Sequence, residues 1–240
     1  MKPLTNFQVF GLNFQTWGVF FALAALISFY LFIRLGFAKK KNQDILFNIY
    51  FICFFLGILG ARLFYFLSHP QNLNLSNFTN FWSGSYELFG GATFALLATI
   101  SYLLYKKEKV LDYLNLLVIP GLCALFLINT GSFLVMDNIG KITQAPWAIN
   151  FLEQMRHPID AYYLVMDLIL LGIAVYLYKK EVNYLFFIIL LLFSLGRLII
   201  HFFSLFSNNW DIASNLIFWS LSFVIASLGV YFVKEKKLSF

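Results

Sequence analysis

Seven uninterrupted apolar runs, at about 16–36, 45–67, 88–105, 110–134, 160–178, 183–205 and 212–233, constrain this chain more than any other feature. Each comes near the ~17–25 residues that a helix needs to cross the hydrocarbon of a bilayer. Of the 240 residues, 61% are hydrophobic and 12% are charged, about half the charge of an ordinary soluble domain. Too little charge remains to cover a water-soluble globule. The expectation is an all-α polytopic membrane protein with seven transmembrane helices, forming a single membrane domain over 1–240.

Lysine and arginine orient it. One set of inter-run segments carries Arg34, Lys39, Lys40, Lys41, Lys106, Lys107, Lys109, Lys179, Lys180, Lys234, Lys236 and Lys237, which is 12 of the 17 basic residues. The opposite set carries Lys2, Lys141 and Arg156. The positive-inside rule then places the amino terminus outside and the carboxyl terminus inside. The first run follows a single lysine and ends in Lys39-Lys40-Lys41, a polarity opposite to that of a signal peptide, so the first helix is expected to stay in the protein. Two outward segments, about 68–87 and 135–159, are long and rich in Asn, Ser, Gly and Trp.

The net charge of +6 does not point to nucleic acid, because the basic residues fall in short clusters between apolar runs. Cys53 and Cys123 lie in apolar stretches without metal-ligand spacing and read as buried free thiols. No P-loop, dinucleotide fingerprint or nucleophile elbow occurs, and the last run has no lysine for a retinal Schiff base. Neither a metal nor a cofactor is expected.

The two remaining basic residues, Arg62 and Arg197, lie inside apolar runs. A charge at mid-bilayer costs about 2.5–3.5 kcal/mol on insertion scales, so each is a functional candidate unless it snorkels or pairs with a carboxylate such as Asp167. On a helix, Arg197 and His201 share a face beside Gly196, which suits an anion, although a histidine near a run's end also suits the interface. Asn129-Thr130-Gly131-Ser132 interrupts the fourth run. It reads either as a locally opened helix with amides for phosphate or as hydroxyls bonding their own helix. Arg156-His157-Pro158 with Asp160 and Tyr162 looks like a helix start, in which Arg156 and Asp160 are placed to pair. Gly90-Gly91 permits close approach, either of a ligand or of a neighbouring helix.

Taken in order, these segments resemble the bacterial prolipoprotein diacylglyceryl transferase family over nearly the whole chain. Trp17-Gly18 is similar to the family's Tyr-Gly, and Gly57 to Tyr65 to its Gly-x-x-Gly-[Gly/Ala]-Arg-Leu-x-Tyr. Leu88-Phe89-Gly90-Gly91 matches its Ser-Phe-His-Gly-Gly, and Asn129 to Gly140 its Arg-x-Gly-Asn-Phe signature. Arg156-His157-Pro158 with Tyr162 matches Arg-His-Pro-x-x-x-Tyr-Glu, Asp167 falls at a second acidic position, and Gly196-Arg197 through Phe203 resembles the closing Gly-x-x-Arg-x-x-x-Glu-Phe.

The resemblance implies an inner-membrane enzyme that moves the diacylglyceryl group of phosphatidylglycerol to the lipobox cysteine of a prolipoprotein and releases glycerol phosphate. It assigns Arg197 to the leaving phosphate, Arg62 to support of the site, His157 and Tyr162 to the head group, and the Gly131 region, with Asn129, Ser132, Gly90, Gly91 and Arg156, to substrate binding. Both intramembrane guanidinium groups are expected to converge on one cavity. Several positions depart from the pattern: the family histidine is Phe89, the signature arginine Asn129, its asparagine Ser132, and the two glutamates Tyr163 and His201. His157 or His201 then stands as the replacement base. A phospholipid-binding relative without transferase activity is the alternative, and a small transporter or channel is disfavoured by the odd number of runs and the lack of repeats.

Overall fold

The structure, a computed structural model, describes residues 3–9, 12–70, 74–79, 86–151, 153–206 and 209–235. Lys2, Lys236 and Lys237, three of the orienting charges, lie outside the described residues. In chain order the elements are β1 (Asn6–Val9), β2 (Leu12–Gln15), α1 (Thr16–Ala38), α2 (Gln43–Ser68), α3 (Leu75–Thr79), α4 (Leu88–Tyr105), α5 (Val110–Val135), β3 (Ile149–Phe151), β4 (Gln154–Arg156), α6 (Ile159–Lys179), α7 (Leu185–His201) and α8 (Asn209–Lys234). Among the described residues six helices (α1, α2, α4, α5, α6 and α8) are long and apolar enough to cross a membrane, and α7 is a shorter apolar helix of 17 residues. This is the architecture of a polytopic membrane protein.

Several helices begin or end where polar residues take over, as α2 does after Asn42 and α4 at Glu87 and Lys106. Asn42 caps α2, its Oδ1 accepting from the amides of Asp44 (2.9 Å) and Ile45 (3.3 Å). Lys40, Lys107, Met136 and Glu181 adopt φ of 55°, 57°, 55° and 54° just past α1, α4, α5 and α6. The following amides, of Lys41, Glu108, Asp137 and Val182, reach back to the carbonyls of Gly36, Leu103, Ser132 and Leu177 at 3.0–3.2 Å. Four helices therefore close with the left-handed turn that satisfies terminal carbonyls. Three of the four turns put a Lys or Glu at the left-handed position, where the apolar run gives out.

The chain divides into two compact units, one made of residues up to Leu31 and from Leu114 onward, the other Phe32–Tyr113. In the second unit α2 and α4 pack on each other. A Cβ on Gly60 would stand 2.8 Å from the Gly90 carbonyl oxygen, one on Gly90 2.7 Å from that of Gly60, and one on Gly91 2.9 Å from that of Gly57. Only glycine allows this backbone approach, the small-residue contact by which helices associate in lipid. At one end of this unit Lys41 pairs with Asp112 at 2.7 Å and lies 4.8 Å from the Tyr113 ring centre.

In the first unit α7 packs against both α6 and α8. The apolar run at 183–205 predicts a longer helix than the one formed. After His201 the chain leaves the helix: the amide of Lys141 donates to the Phe203 carbonyl and that of Leu205 to the Ile139 carbonyl, each at 2.9 Å. On its other side the same segment binds β4, through Thr143 to Met155 (2.9 Å) and His157 to Lys141 (3.0 Å). β3 and β4 pair antiparallel, and isolated bridges join Gly140 to Ser204 and Ile142 to Arg156. Gly140 lies so close to His157 that a Cβ would stand 2.7 Å from the His157 Cβ.

Candidate functional site

Gly196 sets the position of Arg197. A Cβ at Gly196 would fall 3.1 Å from the Met166 Cγ, so α7 approaches α6 closely just there. The next residue delivers its guanidinium onto the Tyr163 ring of α6, 4.1 Å from the centroid. The ring of Trp219 from α8 lies at 5.0 Å and that of Phe193, one turn earlier on α7, at 5.7 Å. Phe193 and Trp219 brace each other edge to face at 5.4 Å. Among the described residues Arg197 has no hydrogen-bond or ion-pair partner. Arg197 is thus a half-buried cation held by ring faces, with no acceptor for its N–H groups among the described residues.

Two carboxyl groups on α6 stand within electrostatic range of Arg197 without pairing with it: Asp160 and Asp167. Asp167, fully buried, accepts from Asn129 Nδ2 of α5 at 2.6 Å, while its Oδ1 is buried with no partner. Asp160 accepts from the Asn138 amide (3.2 Å) and side-chain nitrogen (2.5 Å). Arg156, expected beside Asp160, turns instead to the Gly140 carbonyl at 3.0 Å and to Gln154 Oε1. Asn138 supplies both donors that Asp160 needs.

The helix α5 runs unbroken through Asn129, Thr130, Gly131 and Ser132. Thr130 Oγ1 donates to the Phe126 carbonyl at 2.7 Å, and a Cβ on Gly131 would stand 2.8 Å from the Phe20 Cβ. Of the two readings open in the sequence, the hydroxyl bonding its own helix is the one observed. The glycine serves the contact with α1, and the amides here belong to the helix ladder.

Just before α6, Pro158 occupies the cap position and Asp160 the first turn. His157 Nδ1 lies 2.8 Å from the Tyr162 hydroxyl, which also accepts from Trp147 Nε1 at 2.8 Å. Phe203 closes on both rings, at 5.0 Å from His157 and 6.0 Å from Tyr162. One side of the imidazole is thus held while Nε2 has no partner among the described residues. A small pocket adjoins it, lined by Asn138, Gly140, Arg156, His157 and Asp160 among others. His201 ends α7, 8% exposed, against the Phe206 ring at 4.5 Å, with Nδ1 buried and unpartnered.

In the second unit Arg62 is completely buried. Its Nε donates to the Phe78 carbonyl at 2.6 Å and an Nη to that of Asn77, and Phe66 and Tyr86 lie at 5.5 and 5.3 Å from the guanidinium. The cost of a buried charge is thereby offset by carbonyl dipoles and ring faces. Gly90 and Gly91 are in the α2–α4 crossing, and Phe89 packs edge to face on Phe64 at 5.7 Å.

Trp147, Asn138, Phe193 and Trp219 were not singled out by the sequence. A tryptophan within a Phe-rich run carries no periodic mark, and the partners of Asn138 and Trp147 lie 22 and 15 residues away.

The fold is that of a polytopic membrane protein of apolar helices. Residues 5–233 match the family model of prolipoprotein diacylglyceryl transferase, and the chain belongs to that family. It is 28% identical to the phosphatidylglycerol–prolipoprotein diacylglyceryl transferase of Campylobacter lari over 82% of this chain and 79% of that one. To the enzymes of the same name from Campylobacter jejuni subsp. jejuni and Chloroherpeton thalassium it is 27% and 26% identical, over 97% and 72% of this chain and 94% and 68% of theirs.

Proposed function

We propose that this protein transfers the diacylglyceryl group of phosphatidylglycerol to the cysteine thiol of a prolipoprotein lipobox, releasing glycerol phosphate. The sulfur–carbon bond forms as the bond from the glyceryl carbon to the phosphate oxygen breaks. The electron pair leaves with the phosphate, whose growing charge Arg197 stabilises. The thiol proton passes to the imidazole of His157, aligned through Nδ1 by Tyr162, because only the thiolate is a strong nucleophile. The observation that carries this reading is Arg197, stacked on aromatic rings and without an acceptor among the described residues.

We further infer seven crossings, with α7 as the sixth: its 17 residues give about 25 Å of helix, short for a tilted span and sufficient for an upright one. The lysine-rich turns after α1, α4 and α6 then face the cytoplasm, the amino terminus faces outward, and the site opens on the outer side of a bacterial inner membrane. Membrane lipids and a lipobox peptide are its partners.

Phe89 supports a second reading, a phospholipid binder without transfer, since it replaces a titratable ring by one that packs on Phe64. One experiment separates the two. Purified protein with phosphatidylglycerol and a synthetic lipobox peptide adds a diacylglyceryl mass to the cysteine if the first holds. Bound lipid without that mass at high protein concentration refutes it.

A further inference from the structure

The guanidinium of Arg197 is surrounded in an unusual way for a cation at lipid depth. Its neighbours within cation–π range are three rings, one from each of α6, α7 and α8: Tyr163, Phe193 and Trp219. No carboxylate comes within ion-pair distance of it among the described residues. A carboxylate partner would occupy two N–H groups and cancel the charge, whereas a ring face attracts the cation through its quadrupole and leaves every N–H at the edge free. Rings are also rigid, with two side-chain torsions each, so they fix the plane of the guanidinium and thus the direction in which its bidentate edge points. Tyr163 is the nearest of the three and lies one turn from Asp167 on α6. Trp219 is itself 4% exposed and packs edge to face on Phe193 at 5.4 Å.

We propose that Tyr163 is a positioning residue: its ring, with Trp219 and Phe193 behind, forms an aromatic cradle that orients Arg197 toward the phosphate of an anionic phospholipid. The cradle uses the face of the Tyr163 ring and not its hydroxyl. The proposal rests on the reading of Arg197 as the head-group site and extends it to a residue that touches Arg197 and not the lipid.

The test is calorimetric binding of dihexanoylphosphatidylglycerol to detergent-purified full-length protein, as wild type, Tyr163→Phe, Tyr163→Leu, Arg197→Ala and the double variant Tyr163→Leu/Arg197→Ala. Tyr163→Phe keeps the face and should bind within about twofold of wild type, while Tyr163→Leu should weaken binding about fivefold or more. In the Arg197→Ala background, Tyr163→Leu should have no further effect, because the ring acts only through the guanidinium. A general loosening of the fold would weaken binding in both backgrounds, and that result overturns the cradle. So does Tyr163→Leu binding as wild type does, or Tyr163→Phe losing as much as Tyr163→Leu. If Tyr163→Leu is not recovered folded, Tyr163→Met gives the same comparison. Absence of binding by wild type overturns the head-group site itself, and the cradle with it; binding unchanged by Tyr163→Leu overturns the cradle alone.

Discussion

Asn129 on α5 donates its side-chain amide to Asp167 on α6 at 2.6 Å, and the other carboxyl oxygen of Asp167 is buried without a partner. The amide is therefore what keeps this acid from being wholly unsatisfied in an apolar interior. Asn129→Leu should lower the melting temperature in detergent, as expected for losing an interhelical hydrogen bond of about 0.6–1.7 kcal/mol and leaving Asp167 orphaned. Adding Asp167→Leu should restore part of that loss. Strictly additive effects in this double-mutant cycle would show that the two side chains do not interact.

Gly60 and Gly172 offer a second test, because both are helical glycines in very different surroundings. A methyl at Gly60 meets the Gly90 carbonyl at 2.8 Å, whereas nothing lies within 4 Å of one at Gly172. Gly60→Ala should destabilise the α2–α4 unit by about 1–3 kcal/mol through overpacking. Gly172→Ala should be neutral or stabilising by up to about 1 kcal/mol from helix propensity. Thermal unfolding of the two variants checks this, and equal shifts would contradict it.

Arg62 acts on α3. Its guanidinium binds the carbonyls of Asn77 and Phe78, so Arg62→Leu, which keeps the bulk and removes the donors, should release that turn. Hydrogen exchange at the amides of residues 77–79 should rise by about tenfold or more, a loss of roughly 1.5–3 kcal/mol for hydrogen bonds to a charged group. Unchanged protection there would mean the turn is held by other contacts.

Tyr162 links Trp147 to His157 through one hydroxyl. Tyr162→Phe should remove the bond that aligns the imidazole and shift the Trp147 emission, while His157→Ala should lower kcat by about 10²–10⁴ if the ring takes the thiol proton. His201→Ala should change kcat little. Turnover indifferent to His157 and dependent on His201 would exchange their roles.

What the sequence revealed and what it hid follow from the range of the forces involved. The run at 88–105 became α4 at Leu88–Tyr105 because Glu87 and Lys106 bound it locally. The run at 183–205 overshot, since Phe202 and Phe203 are apolar but their carbonyls accept from the side chain and the backbone amide of Lys141, some sixty residues away. The strands β1 and β2, four residues each, are too short to show an alternation. At the site, Arg197, His157 and Tyr162 stood out as polar residues in apolar or aromatic company. The choice of partner did not: Asp167 was available to either arginine, and it is Asn129, 38 residues away, that takes it. Arg156 and Asp160 likewise have the spacing of a pair and go to Gly140 and Asn138.

On the proposed function, Arg197 stabilises the phosphate that leaves when a diacylglyceryl group moves to a cysteine. The most direct measurement is the rate of thiol modification of a lipobox peptide in proteoliposomes of phosphatidylglycerol, read by mass, for wild type and Arg197→Ala at matched amounts of folded protein. Wild type should carry out the transfer, and the variant should be slower by about 10²–10³, the loss expected when one preorganised charge-stabilising donor is removed. Equal rates in the two proteins would contradict it.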